Sequence, residues 1–241
     1  NFAIASKAFK DSRKMDLGEL AWVERNNKIK NSKILFHGLA YSLVTSPRTK
    51  RVWLDRNLGA RQVCTSSTDT ACYGDLYQWG RAKDGHESRT SGTTTTRASS
   101  ITTPAPNQFI LNKASPGDWV SGTTVSNSKL TAVWRDGGVN DICPAGFSVP
   151  NTDELKADTI DPPGVVSNTA TAFSSFLRLP AAGSRNKFDG GLNNLGSVAF
   201  LWSWKDNNAT DSDYLRIDVN SSQIRNQARS QGGSIRCIKD L

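Results

Sequence analysis

Histidine, methionine and closely paired cysteines are what this sequence has least of. Its 241 residues include two histidines, His37 and His86, one methionine, and four cysteines with no CxxC spacing. A zinc knuckle needs Cys and His at short fixed intervals and a thioredoxin-like centre needs CxxC, so both are excluded. No apolar run approaches the roughly 20 residues of a membrane-spanning helix. Neither an initiator methionine nor a signal peptide opens the chain. Asn1 leads straight into mixed polar text, as expected of a processed form or a piece of something longer. Hydrophobic residues make up 37% and charged residues 22%, with Ser, Thr, Asn and Gly abundant. That composition points to a loop-rich globular protein, not a helical bundle or a disordered tail.

Basic residues outnumber acidic ones clearly only in the first quarter. Residues 1–60 carry 12 Lys/Arg against 5 Asp/Glu, a net +7, and the rest carry 18 against 17, a net +1. Nucleic acid is not the expected partner, because the cations are scattered among Asp11, Asp16, Glu19 and Glu24 and no nucleic-acid fold signature accompanies them. A basic surface for an acidic partner or a neighbouring subunit is the preferred reading.

Along the chain, "FAIASKAFKDSRK" fits one amphipathic helix, with Phe2, Ala5 and Phe9 on a common face. "ELAWVER" and "SKILFHGLAYSLVTS" read as strands around the turn-rich "NNKIKN". "KRVWLDRNLGA" reads as a strand running into a turn, and "YGDLYQWGRAKDG" as a short aromatic-rich helix or turn ending at Gly85. Residues 88–130 are dominated by Ser, Thr, Gly and Pro, which predicts a long excursion with little core. "GFSVPNTDELKADT" reads as strand then helix, with Thr152 as cap and Asp153 and Glu154 in the favourable first turn. The final third is β-like through "VAFLWSW", "DYLRIDV" and "GSIRCIKD".

Cys64, Cys72, Cys143 and Cys237 allow three pairings. Two disulfides in an oxidising compartment are the plain reading, with free thiols the alternative. Cys64 and Cys72 enclose a polar "TSSTDTA" loop that can fold back on itself, which leaves Cys143 for Cys237.

Six phrases in order, "VTSPRTKRVWLDRNLGARQVC", "ACYGDLYQWGRAKDGHE", "ICPAGFSVPNTDELKADT", "FLRLPAAGSR", "LWSW" and "SIRCIKD", cover about residues 44–240. Together they resemble the Fibrobacter succinogenes major paralogous domain family. The resemblance implies an α+β, C-type lectin-like fold related to formylglycine-generating enzymes. Its expected form is a small twisted antiparallel sheet, two helices and long loops over residues 44–241, preceded by an N-terminal arm, residues 1–43. It also implies a secreted or surface-exposed bacterial protein. Trp53, Trp79, Cys143, Pro144, Gly146, Pro150, Trp202 and Cys237 sit in the matching phrases and read as structural, the aromatics anchoring a loop-rich core.

Formylglycine-generating relatives use a reactive cysteine pair. Here Cys143 and Cys237 read as a bridge, so an enzyme of that type is the less favoured expectation and no catalytic residue is assigned. The calcium triplets of sugar-binding lectins are missing. "DNNATDSD", with Asp206, Asn208, Asp211 and Asp213, could form an oxygen-rich cation turn, but a solvated turn is the plainer reading. No metal site or cofactor is therefore expected. In lectin-like relatives the corresponding exposed face binds ligands. The candidate ligand-binding residues here are Trp204, Lys205, Asn207, Asn208, Tyr214, Arg216 and Arg225, aromatic, amide and charged groups suited to adaptable recognition. Ordinary hairpin surface is the competing reading.

The expected function is a non-catalytic extracellular module for adhesion, ligand recognition or self-assembly, on a cell surface or a particle, its partner a surface glycan or protein. A virion structural or receptor-binding role is the alternative. The arm has a net charge of +4 and many large apolar residues, among them Phe2, Phe9, Leu20 and Trp22. It is expected either to pack on another copy of the chain, giving a homo-oligomer, or to fold back as extra strands on its own domain.

Overall fold

A His-Gly pair between two apolar runs sets the first hairpin. The computed structural model describes residues 33–102, 107–113, 117–121, 127–162, 166–207 and 211–241; the helix expected near residues 2–13 and the strand "ELAWVER" lie outside them. Strands β1 (Lys33–Phe36) and β2 (Leu39–Thr45) pair in register, Phe36 opposite Leu39. His37 and Gly38 both take positive φ, 49° and 76°. Tight two-residue hairpin turns require this of both central residues, and glycine supplies it without strain. The boundary expected after residue 43 falls inside β2, so residues 33–43 are part of a sheet.

That sheet has five strands, β1-β2-β3-β14-β7, where β3 is Val52–Leu54, β7 is Phe147–Ser148 and β14 is Ile238–Lys239. Ile238 pairs with Trp53 on one side and Ser148 on the other, so β14 is central. A second sheet, β10 (Ala199–Asp206), β11 (Asp211–Ile217) and β12 (Ser222–Ala228), is a meander. A third orders β4 (Tyr77–Gln78), β13 (Gly232–Gly233), β8 (Ser184–Arg185) and β9 (Leu192–Asn193) as β4-β13-β8-β9. β5 (Gly92–Thr94) and β6 (Gln108–Ile110) form the one parallel pair among the described strands. With helices α1 (Asn127–Trp134), α2 (Thr152–Asp158) and α3 (Thr169–Ser174), the chain is sheet-rich α+β.

Several expectations change in detail. Four sheets and three α-helices are described where one sheet and two helices were expected. "YGDLYQWGRAKDG" contributes β4 and no helix, because its partner is the glycine pair of β13, more than 150 residues away. Asn151, not Thr152, caps α2: its side chain accepts the Glu154 N–H at 2.8 Å, and the Glu154 carboxylate accepts the Asn151 N–H at 2.8 Å. This reciprocal pair satisfies two donors that a helix start leaves open. Within 88–130, Phe109, Ile110, Trp119 and Val120 are buried, so the excursion expected to hold little core supplies part of it.

Two apolar clusters carry the fold. One gathers Trp79, Trp119, Trp134, Trp202, Tyr77 and Tyr41 around the Cys143–Cys237 bond. The other places Trp53, Leu155, Leu179, Leu215, Ile217 and Ile238 together, joining residues of α2, β3, β11 and β14. Each large side chain so buried contributes about 1.5–3 kcal/mol over an exposed one. Both cysteine pairs are bonded, Cys64–Cys72 and Cys143–Cys237, and no free cysteine remains.

Candidate functional site

The β10–β12 meander positions the residues named as candidate ligand contacts. Alternation along β11 puts Tyr214 and Arg216 on one face and Leu215 and Ile217 on the other. Leu215 and Ile217 join Ala199 and Leu201 in the second cluster. Tyr214 lies opposite Trp202 and Arg225, and Arg216 lies opposite Phe200 and Gln223. Tyr214, expected to be exposed, is 6% exposed, and its ring stacks on Phe200 with centroids 3.8 Å apart. Burial raises its phenol pKa. It is a core residue because the aromatic surface of Phe200 and Trp202 takes up its ring.

The others spread along the meander. Arg225 is exposed on β12. Arg216 is half-buried and forms an ion pair with Asp218. The backbone N–H of Asn220, then Arg216, hold the Asp218 carboxyl at a pKa of about 2. Trp204 is half-buried beneath the Arg135 guanidinium, 4.4 Å from its ring centre. The Asn207 side chain donates to Asp213 at 2.9 Å. Lys205 is exposed. Asn208 lies outside the described residues, so the oxygen-rich turn that includes it is not assembled here.

Sequence reasoning missed the neighbours of Lys205. An open cleft of about 410 Å3 separates α2 from the edge strand β12. Lys205, Asp153, Lys156 and Gln223 line it with polar groups, and Ile160 and Ile224 with apolar ones. The volume falls within the range of small-ligand sites. Of the candidate ligand contacts named from the sequence, only Lys205 reaches it. Asp153 and Lys156 carried a usable signal, since they lie in the first and last turns of a capped helix just after β7, but nothing local tied that helix to β12. The cleft offers both charges and an apolar strip on a firm α/β frame, which suits binding.

One compact group has the makings of a metal site. Ligand atoms of Asp84, His86 and Glu87 lie within 4.8 Å of one another. Their hydrogen bonds argue for a structural pin. His86 Nε2 accepts the Gln78 N–H at 3.0 Å, which leaves Nδ1 to carry the proton toward Asp84 at 2.7 Å. Arg81 pairs with Asp84 at 2.8 Å and Lys83 with Glu87 at 2.7 Å. Both ring nitrogens and both carboxylates thus already have partners. Burial lowers the His86 pKa, more than the Asp84 bond raises it, so the ring is neutral. No family model, curated protein or solved structure matches the chain, and function has to be read from these residues themselves.

Proposed function

We propose that the chain is a non-catalytic extracellular recognition module with a C-type lectin-like fold, borne on a cell surface or a particle, whose ligand is a surface glycan or protein. One observation carries this reading: all four cysteines are closed in two disulfides. Such bonds persist in oxidising compartments. They also leave no thiol for nucleophilic chemistry of the formylglycine-generating kind. Among the described residues no helix is long and apolar enough to cross a membrane, which is compatible with a secreted module. Recognition is assigned to the cleft between α2 and β12, together with exposed Arg225. The test is a binding screen of the purified chain against arrayed glycans and surface proteins, followed by the double variant Lys205→Ala/Gln223→Ala. A hit weakened tenfold or more by the variant supports the cleft; hits indifferent to it overturn the assignment. Alkylation of Cys143 or Cys237 in the native, unreduced protein would restore the enzyme reading.

Self-assembly through the N-terminal arm is the second reading. Residues 1–32 of the arm precede β1, which among the described residues is an edge strand whose Leu35 is 77% exposed. An uncovered apolar edge is a template for another strand. Deleting residues 1–32 should lower the oligomeric mass at an unchanged melting temperature. A large drop in melting temperature with unchanged mass would place the arm on its own domain.

A further inference from the structure

A second pocket, of about 240 Å3, lies between the β1–β2 hairpin and the segment from Leu58 to Lys83. Its floor is apolar: Tyr41, Leu58 and Tyr77 line it and are nearly fully buried. Half-buried Phe36 and Leu39 add to the wall, and the His37 ring sits 4.0 Å from that of Phe36. The polar lining has two signs. Arg61 is exposed, and its guanidinium meets no carboxylate among the described residues. Asp75 is half-buried, 3.2 Å from Lys83, but the shorter bond of that lysine, 2.7 Å, goes to Glu87.

The backbone is shaped to bring Asp75 in. A Cβ on Gly59 would lie 2.3 Å from the Asp75 carboxyl, so only glycine leaves it room. The Gly59 N–H also donates to the Tyr41 hydroxyl at 2.9 Å, fixing the floor to the wall. Burial raises the Asp75 pKa in spite of Lys83, so the carboxylate would gain from a further cation.

We propose that this pocket binds a free α-amino acid with an apolar side chain, such as leucine or phenylalanine. Its ammonium faces Asp75, its carboxylate faces Arg61, and its side chain rests on Tyr41, Leu58 and Tyr77. The size agrees: the pocket has room for about eight waters, hence a ligand on the order of ten heavy atoms. A neutral sugar would leave the Arg61 charge unused, and a peptide terminus would bring one charge where the lining offers both signs. The inference concerns a different surface from the α2–β12 cleft and does not depend on that assignment.

The test is titration of the full chain with L-phenylalanine and L-leucine, followed by calorimetry. Saturable binding with a Kd of about 1 mM or tighter is expected. Phenylalaninamide, which lacks the carboxylate, and N-acetylphenylalanine, which lacks the ammonium, should each bind at least tenfold more weakly. Arg61→Ala should bind phenylalanine and its amide alike, and Asp75→Asn should bind phenylalanine and its N-acetyl derivative alike. Absence of saturation, equal affinity for the three compounds, or discrimination unchanged in the variants would each overturn the proposal. Arg61 is exposed, so its variant keeps the test decisive even if Asp75→Asn folds poorly.

Discussion

Between Asp55 and Ser121 the described chain holds only three strands, each of two or three residues, whereas β10, β11 and β12 run seven or eight residues each. Both regions contribute to the buried core, where backbone polar groups have to be satisfied. The meander does so with a ladder. The loop-rich half does so with side-chain donors. Arg185 donates to the carbonyls of Gly190 (2.9 Å), Ser88 (3.0 Å) and Ser91 (2.6 Å) while its guanidinium lies 4.4 Å from the Phe109 ring. Arg89 holds the carbonyls of Gly74 and Ala182, and Arg81 that of Gln108. The Trp119 and Trp79 indoles donate to the carbonyls of Trp79 and Ser203. Several arginines therefore act inside the protein, where a five-donor guanidinium replaces a missing neighbouring strand.

The largest expected effect breaks the tie between the halves. Cys143 and Cys237 are 94 residues apart and Cys64 and Cys72 only 8. On the chain-entropy model, replacing the first pair by alanines costs about 4.5 kcal/mol and the second about 2.5. Urea midpoints of the two double variants measure the gap; equal losses would mean that the long bond constrains little. Next, Arg185→Met should cost about 3 kcal/mol, because several buried carbonyls lose their donor together. Amide exchange should then quicken around residues 86–91 and 190 while β11 keeps its protection. Uniform loss of protection would erase the distinction between the halves.

Acid should also act on the loop half first. The folded His86 pKa is depressed, so the native state binds fewer protons than the unfolded chain as pH falls below about 6.5. Stability is fully present above that pH and falls below it, toward the folded pKa, by at most about 1.4 kcal/mol per pH unit. Asp84 and Glu87 are depressed as well and extend the loss at lower pH. Melting temperatures between pH 7 and 5 should drop for the native chain and less for His86→Gln. The smallest effect belongs beside the meander: Asn151→Ala removes the α2 cap and should cost about 1 kcal/mol. Thermal melts read it, and a loss as large as that of Arg185→Met would show that the sheet half also leans on single polar contacts.

What the sequence disclosed follows the same division. The strands "VAFLWSW" and "DYLRIDV" and both disulfides were legible from local pattern, loop length and elimination, whereas "SKILFHGLAYSLVTS", read as one strand, folds back at His37-Gly38 as a hairpin. The α2 cap was displaced by one residue, since Asn151 and Thr152 are both capping types and only geometry chooses between them. β4 was missed because its partner is a glycine pair with no pattern of its own. Nothing in the local sequence marked Arg81, Arg185, Arg229 and Arg236 as buried, since the partners that hold them are scattered across the chain. For the same reason the α2–β12 cleft was seen only through Lys205, and Tyr214 was placed outside the core it belongs to.

The central position of β14 bears on how the protein can be made. Translation delivers Ile238 and Lys239 after every other strand of the five-stranded sheet, yet β3 and β7 meet only through them. Until that segment emerges, β3 and β7 have open edges and Cys143 has no Cys237 to oxidise with. The five-stranded sheet and the long disulfide therefore close together, in one late step of folding.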